Sequence, residues 1–212
     1  MTNSNDARPF APLVRTALLV AGMALLAGCA STTVTLSPSP QAPVCERSSD
    51  ALVLWAPAWR TNQKDVTQRE TMAADGLKQF FAESGCFVRT ELRRIADTSA
   101  ASISSQSATT TASATAPFTR LVVLEVRELG PVVKLLSSPS LIEGGTEAVL
   151  QVAVYGPSGL AREREFSVQW RNGGPGVVKG VASLAGDMQQ ALAAALQPEK
   201  KANATNAVNA AK

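Results

Sequence analysis

Residues 51–55 read Ala-Leu-Val-Leu-Trp, an uninterrupted apolar run bounded by Asp50 and Pro57. Side chains of a strand point alternately to two faces, so a run without alternation is apolar on both and suits an inner strand covered above and below. This segment demands a layered fold with a sheet at its centre. The next segment narrows the choice. Over residues 65–84, Val66, Ala73, Leu77, Phe80 and Phe81 fall on one helical face. Asn62 or Asp65 can cap the start, and Gly85 stands where a left-handed C-terminal residue is expected. Gly76 inside this helix costs about 1 kcal/mol relative to alanine, which points to a close packing contact. Residues 86–95 then read as a second strand, apolar mainly at its beginning. A strand, helix, strand unit in one sheet is nearly always a right-handed crossover with parallel strands, so both strands start at the same edge.

Residues 97–117 are Ser, Thr and Ala with almost nothing bulky, the composition of a flexible surface insertion. Residues 120–129 and 146–155 read as strands, the second with Ala148, Leu150, Val152 and Val154 on one face. Gly156-Pro157-Ser158-Gly159 turns the chain into 161–171, where Phe166, Val168 and Trp170 alternate with Glu165, Ser167 and Gln169. After a glycine-rich break at 172–176, Val181, Leu184, Met188, Leu192 and Ala195 recur at helical spacing up to Pro198. The expected fold class is α/β (α+β), a mixed sheet of about five strands with two main helices packed on one face. Gly130-Pro131 and Gly144-Gly145 bracket a segment read as irregular, with Val132, Val133, Leu135, Leu136, Leu141 and Ile142. So many bulky side chains must either fold over the core or meet a partner or lipid. With Trp55 and Trp59, which flank Pro57, they form the candidate interaction surface; the alternative for the tryptophans, too, is core.

The N-terminal region sets the compartment. An uncharged apolar run over 16–28 comes after Arg8 and Arg15, the layout of a secretory signal, and it is shorter than the roughly 20 residues that a bilayer span needs. It ends in Leu26-Ala27-Gly28-Cys29, which resembles the bacterial lipoprotein signal. That resemblance implies cleavage before Cys29, diacylation of its thiol and acylation of the new amino terminus. Ala30, in place of aspartate, implies the outer membrane, with the domain facing the periplasm. Each buried methylene contributes about 0.8 kcal/mol, so three chains give a permanent anchor. The alternative is an ordinary signal peptide with an incidental Cys29. The organisation expected is a signal peptide at 1–28, a Ser/Thr/Pro tether at 29–43 that lifts the domain off the membrane, a periplasmic domain at 44–197, and a disordered tail at 198–212.

With Cys29 assigned to lipid, Cys45 and Cys86 remain in an oxidising compartment. Cys45 lies a few residues before the first strand and Cys86 at the start of the second, so topology also favours a disulfide. Free thiols or a reactive pair are the alternatives. There is no histidine, which removes the commonest general base and metal ligand. The net charge of +3 comes from interspersed residues, and no nucleic-acid partner is implied. The Pro157-Ser158 turn lacks the Gly-x-Ser-x-Gly spacing of a nucleophile elbow, and 172–176 lacks both phosphate-loop and dinucleotide order. No catalytic residue, metal ligand or cofactor site is assigned.

Leu121-Val122-Val123-Leu124-Glu125-Val126, Ala148-Val149-Leu150-Gln151-Val152, Arg162-Glu163-Arg164-Glu165-Phe166, the glycine-rich break and the helix at 181–196 together resemble, in patterning, the second half of the auxiliary lipoproteins of ABC-type envelope lipid transporters. The resemblance implies an outer-membrane lipoprotein whose α/β domain binds an envelope protein partner, or lipid, without catalysis. Lipoproteins acting in secretion or outer-membrane assembly are similar. The competing expectations are a structural or stress lipoprotein without a dedicated partner, and an envelope enzyme whose carboxylates or Ser/Lys pair are assembled from distant residues.

Overall fold

The structure, a computed structural model, describes residues 30–113, 117–135, 142–156 and 161–197. It is α+β. Strands β1 (Ser31–Ser37), β2 (Asp50–Pro57), β3 (Arg89–Arg94), β4 (Arg120–Leu135), β5 (Ile142–Tyr155) and β6 (Arg162–Pro175) form one six-stranded sheet in the order β1-β6-β5-β4-β2-β3. β2 is parallel to both neighbours, β3 and β4, and the remaining pairs are antiparallel. Helices α1 (Val66–Glu83) and α3 (Leu184–Leu196) cover one face, the latter preceded by a 3-10 turn at Val181–Ser183, and α2 (Ala100–Ser113) lies on the other.

The apolar run is buried on both faces. Ala51, Val53 and Trp55 join the larger core under α1 and α3, while Leu52, Leu54 and Ala56 join a smaller one with Ile95, Leu121, Val123 and Ile103 of α2. The expected stripe of α3 is largely present, with Leu184, Met188, Leu192 and Ala195 buried. On α1 the buried residues are Ala73, Gly76, Leu77 and Phe80. Val66, at the exposed first position of the helix, does not join them. Asp65 occupies the N-cap position with a positive φ of 56° but makes no side-chain cap bond, and Gly85 is left-handed as expected. At Gly76 the two helices meet: a Cβ there would lie 2.6 Å from the Ala185 carbonyl oxygen and 2.6 Å from the Met188 Cβ.

Three expectations are corrected. Residues 31–37 are not a solvated tether: they form β1, antiparallel to β6, with Val34 and Leu36 packed on the larger core. The alternation Thr33-Val34-Thr35-Leu36 suits an edge strand once a partner supplies the ladder. Residues 97–117 are not structureless, because the Ala- and Ser-rich stretch forms α2, with Asp97 accepting bonds from the Ser99 amide (2.8 Å) and the Ser102 hydroxyl (3.0 Å) at its start. Its one large apolar anchor, Ile103, is the reason it docks. Finally, Gly130-Pro131 does not end β4. β2 stops at Pro57, which pairs with Val126, and past a bulge between Val126 and Glu128 that edge of β4 has no neighbouring strand, where proline costs no ladder bond. β4 and β5 therefore run on past the end of β2 as an arm of the sheet, with β6 alongside β5 as far as Pro175, and pair through to Leu135 and Ile142.

Cys45 and Cys86 are bonded, with Cα atoms 4.6 Å apart and a sequence separation of 41. The amides of Val44 and Cys45 donate to the Leu196 carbonyl (2.9 and 3.2 Å), so the bridge joins the end of α3 to the end of α1. Reduction of the purified domain should raise its mass by two hydrogens and lower its stability by about 4 kcal/mol, the chain-entropy value for a loop of this length; thiols that alkylate without reductant would contradict the bridge. Gly76→Ala gains about 1 kcal/mol of helix propensity but overpacks the α1–α3 contact at a cost of about 1–3 kcal/mol. A urea midpoint below that of the wild type is expected, and a higher one would mean the helices part without cost.

Candidate interaction surface

Pairing register places the arm. Ser31, Gly173, Gly145 and Val132 form one row across β1, β6, β5 and β4, and the next rows toward the tip pair Gly174 with Gly144 with Val133, and Pro175 with Glu143 with Lys134. The row of Gly145 and Gly173 carries no side chains between Val132 and Ser31. On the face away from α1 and α3 this leaves a shallow depression of about 200 Å³, walled by Ser31, Thr33, Val132, Glu143 and Arg171. Larger residues cannot replace these glycines. A Cβ on Gly173 would lie 2.2 Å from the Gly144 carbonyl oxygen, and one on Gly145 would lie 2.5 Å from that of Asn172.

Two polar clusters hold the arm and its neighbours in place. At its root the Arg69 guanidinium of α1 donates to the Leu129 carbonyl (2.6 Å), one of the groups on the edge β2 leaves open, and to Glu128 (3.2 Å), which also accepts from Gln63 (2.9 Å). Both Arg69 and Glu128 are largely buried. Beside the arm, buried Asp187 of α3 accepts from Thr146 of β5 (2.6 Å), Ser183 (3.0 Å) and Lys179 (2.6 Å). This fixes the segment leaving β6 against the sheet. A buried, paired and fully hydrogen-bonded charge of this kind positions backbone more than it adds net stability.

The residues expected at an interaction surface separate. Trp55 is in the core at 3% exposure, and Trp59 is half-buried against that core, its indole nitrogen without a hydrogen-bond partner among the described residues. Val132 is half-buried at the depression, and Val133 and Ile142 are exposed at 66% and 48%. Leu135 belongs to β4, though its side chain lies outside the described part, as do Leu136 and Leu141 altogether. Lipidation of Cys29 falls outside it too. Missed from sequence was Val178, 89% exposed beside the arm.

The sheet face away from α1 and α3 is polar beyond the reach of α2. Glu147 accepts from Gln169 (2.5 Å) and Arg171 (3.2 Å), and Glu165 accepts from Gln151 (2.8 Å) and pairs with Arg162. A smaller cavity beside α2, about 90 Å³, brings Glu125 and Glu165 to one place. Burial opposes ionisation of Glu125, but hydrogen bonds from Thr98 and Arg127 (both 2.6 Å) outweigh it and hold the carboxyl below its ordinary value. That moves Glu125 away from the range where a carboxyl can donate a proton at neutral pH. Among the described residues, no helix is long and apolar enough to cross a membrane, and no group of acidic and cysteine residues is placed to hold a metal ion.

No family model matches the chain, and no curated protein matches it. Solved structures similar to it include a PelC dodecamer from Paraburkholderia phytofirmans, at 13% identity over 76% of this chain and 95% of that one, with a TM-score of 0.41. A DUF330 protein from Xanthomonas campestris is 15% identical over 76% of this chain and 85% of its own, with a TM-score of 0.36. The lipoprotein GNA1162 from Neisseria meningitidis is 9% identical over 71% and 99%, with a TM-score of 0.34. At such identities and TM-scores none of them transfers a function to this chain.

The cross-strand pairs make a pH prediction. Burial of Glu147 would raise its pKa, yet the bonds from Gln169 and Arg171 prevail and hold it below the ordinary 4.5. A carboxyl whose pKa is lower folded than unfolded adds stability that is complete above the unfolded value and is lost as pH falls through the folded one. Glu147→Gln should therefore lower the urea midpoint at neutral pH, and the gap to wild type should narrow as the pH falls below the ordinary 4.5. An equal gap above and below that pH would contradict the assignment.

Proposed function

We propose that this chain is a non-catalytic lipoprotein domain, anchored through Cys29 to the inner face of the outer membrane, that docks a protein partner of an envelope transport or assembly system. The observation that carries the reading is the open half of the sheet over β1, β6 and β5. It is ordered by cross-strand pairs among Glu147, Arg171, Gln169, Gln151 and Glu165, it contains the glycine-floored depression, and α2 leaves it uncovered. A polar, pre-formed face of this type suits a non-obligate protein interface, whose composition is close to that of ordinary surface. The resemblance of residues 120–196 to ABC-type auxiliary lipoproteins names the class of partner. The carboxylates gathered near this face are engaged by arginine, glutamine and threonine, which supports docking over acid–base chemistry.

Two measurements test this. In cells, Cys29→Ser should remove the acyl chains and shift the protein from the membrane pellet to the soluble periplasmic fraction; unchanged fractionation would overturn the anchor. A photo-crosslinking residue at Gln169 in the acylated protein should then trap one stoichiometric component of an envelope transport or assembly machine, while the same residue at Lys78 of α1 should not. No crosslink from Gln169, or the same products from both positions, would overturn the docking face.

A further inference from the structure

We propose that Val133 and Ile142, near the ends of β4 and β5, and Val178, after β6, form a second, non-covalent contact with the bilayer, seating the domain directly on the membrane surface. This contact presupposes the Cys29 anchor of the proposed function and adds an orientation to it. Covalent geometry fixes where the anchor enters. β1 begins at Ser31, so the Cys29 Cα lies within about 7 Å of the Ser31 Cα, whatever path the chain takes between them. Ser31 stands in the same row as Gly173, Gly145 and Val132, about 14 Å from Val132 across three strand spacings. The anchor therefore enters at the end of the sheet from which the arm projects. No tether separates the fold from the lipid.

Exposed apolar side chains gather at the same end. Among the described residues the large apolar side chains most open to solvent are Val66, Val88, Val133, Ile142 and Val178, and the last three lie here. Val133 pairs with Gly144 and Ile142 with Leu135, alternate pairs in the ladder, so both lie on the same face of the arm. Val178 comes directly after Val177, whose carbonyl oxygen would lie 2.1 Å from a Cβ on Gly144. The Gly176 amide bonds the Ile142 carbonyl at 2.8 Å, and Lys179 is pinned to Asp187, so the segment is held where it is. The arm root is likewise fixed, by Arg69 on the Leu129 carbonyl. Apolar side chains on an ordered end of a sheet beside a lipid anchor favour partition into the headgroup and acyl boundary, where each adds its transfer free energy to that of the acyl chains. Glu143 stands opposite Lys134 in the ladder, so this row carries no net charge that would draw it to a strongly anionic surface.

The experiment uses full-length, acylated protein in phosphatidylethanolamine vesicles containing a minor fraction of phosphatidylglycerol. Single cysteines at Val133, Ile142 and Val178 are labelled, under non-reducing conditions, with an environment-sensitive fluorophore and exposed to lipids carrying a nitroxide quencher. Val88→Cys is the matched control, since Val88 is 68% exposed and lies just before β3, at the opposite end of the sheet from the arm tip. Quenching at the three arm sites and not at Val88 is expected. Vesicle flotation and an acylated mass, read on the same samples, separate the two readings: protein that is not acylated overturns the anchor, whereas acylated, floating protein without arm quenching overturns the arm contact alone. Arm sites shielded before vesicles are added, with disulfide-linked dimers forming through Val133→Cys, would show that a second copy covers the tip and would overturn it as well.

Discussion

Everything in this fold depends on β2 being buried from both sides. A strand apolar on both faces has to be covered twice, and α1 with α3 does so on one side while α2 does so on the other. The parallel pairing of β2 with β3 and β4 comes from the helices that connect them. The end of β2 matters as much as its middle. Where Pro57 stops it, β4 becomes the edge of a sheet that runs on through β5 and β6. Arg69 reaches out from α1 to satisfy a carbonyl on that newly open edge. A single strand end thus sets where β4 becomes a sheet edge.

The second consequence concerns how the domain meets its surroundings. A strand starting at Ser31 turns what composition reads as a flexible leash into a fixed edge of the sheet. Under the proposed anchoring at Cys29, the orientation of the domain would be set by the fold rather than by diffusion on a tether. The disulfide complements this by closing the far side, tying the end of α1 to the segment that bonds the end of α3. The half-covered sheet face lies between these fixed features, with its ionisable side chains occupied by one another across neighbouring strands.

Much of the fold was legible in the sequence wherever one residue type dominated a periodic pattern. The double-faced run at 51–55, the helical stripes of Leu77 and Phe80 and of Leu184, Met188 and Leu192, and the alternation of Phe166, Val168 and Trp170 all report burial that the chain must satisfy locally. Gly76 was legible as a contact because glycine in a helix costs stability unless something needs the space. Residues 31–37 and 100–113 were not legible: both are polar or small, and each becomes ordered through one or two side chains, Val34 with Leu36 in one case and Ile103 in the other. Of the candidate surface, Val133 and Ile142 stood out by composition, but Trp55 could not be told from a surface aromatic, and Val178 had no pattern around it.

The sequence by itself determined the layered α+β class and the pair of cysteines available for a bridge, because each of these rests on local chemistry or on the period of apolar residues. Only the tertiary structure decided that β1 joins the sheet, that Pro131 sits inside a strand, and that Val133, Ile142 and Val178 lie at the end of the sheet where β1 begins. The physical reason is that strand pairing and edge exposure are long-range. Whether a polar segment becomes a strand, or a proline costs a hydrogen bond, depends on which neighbour the rest of the chain has already placed beside it.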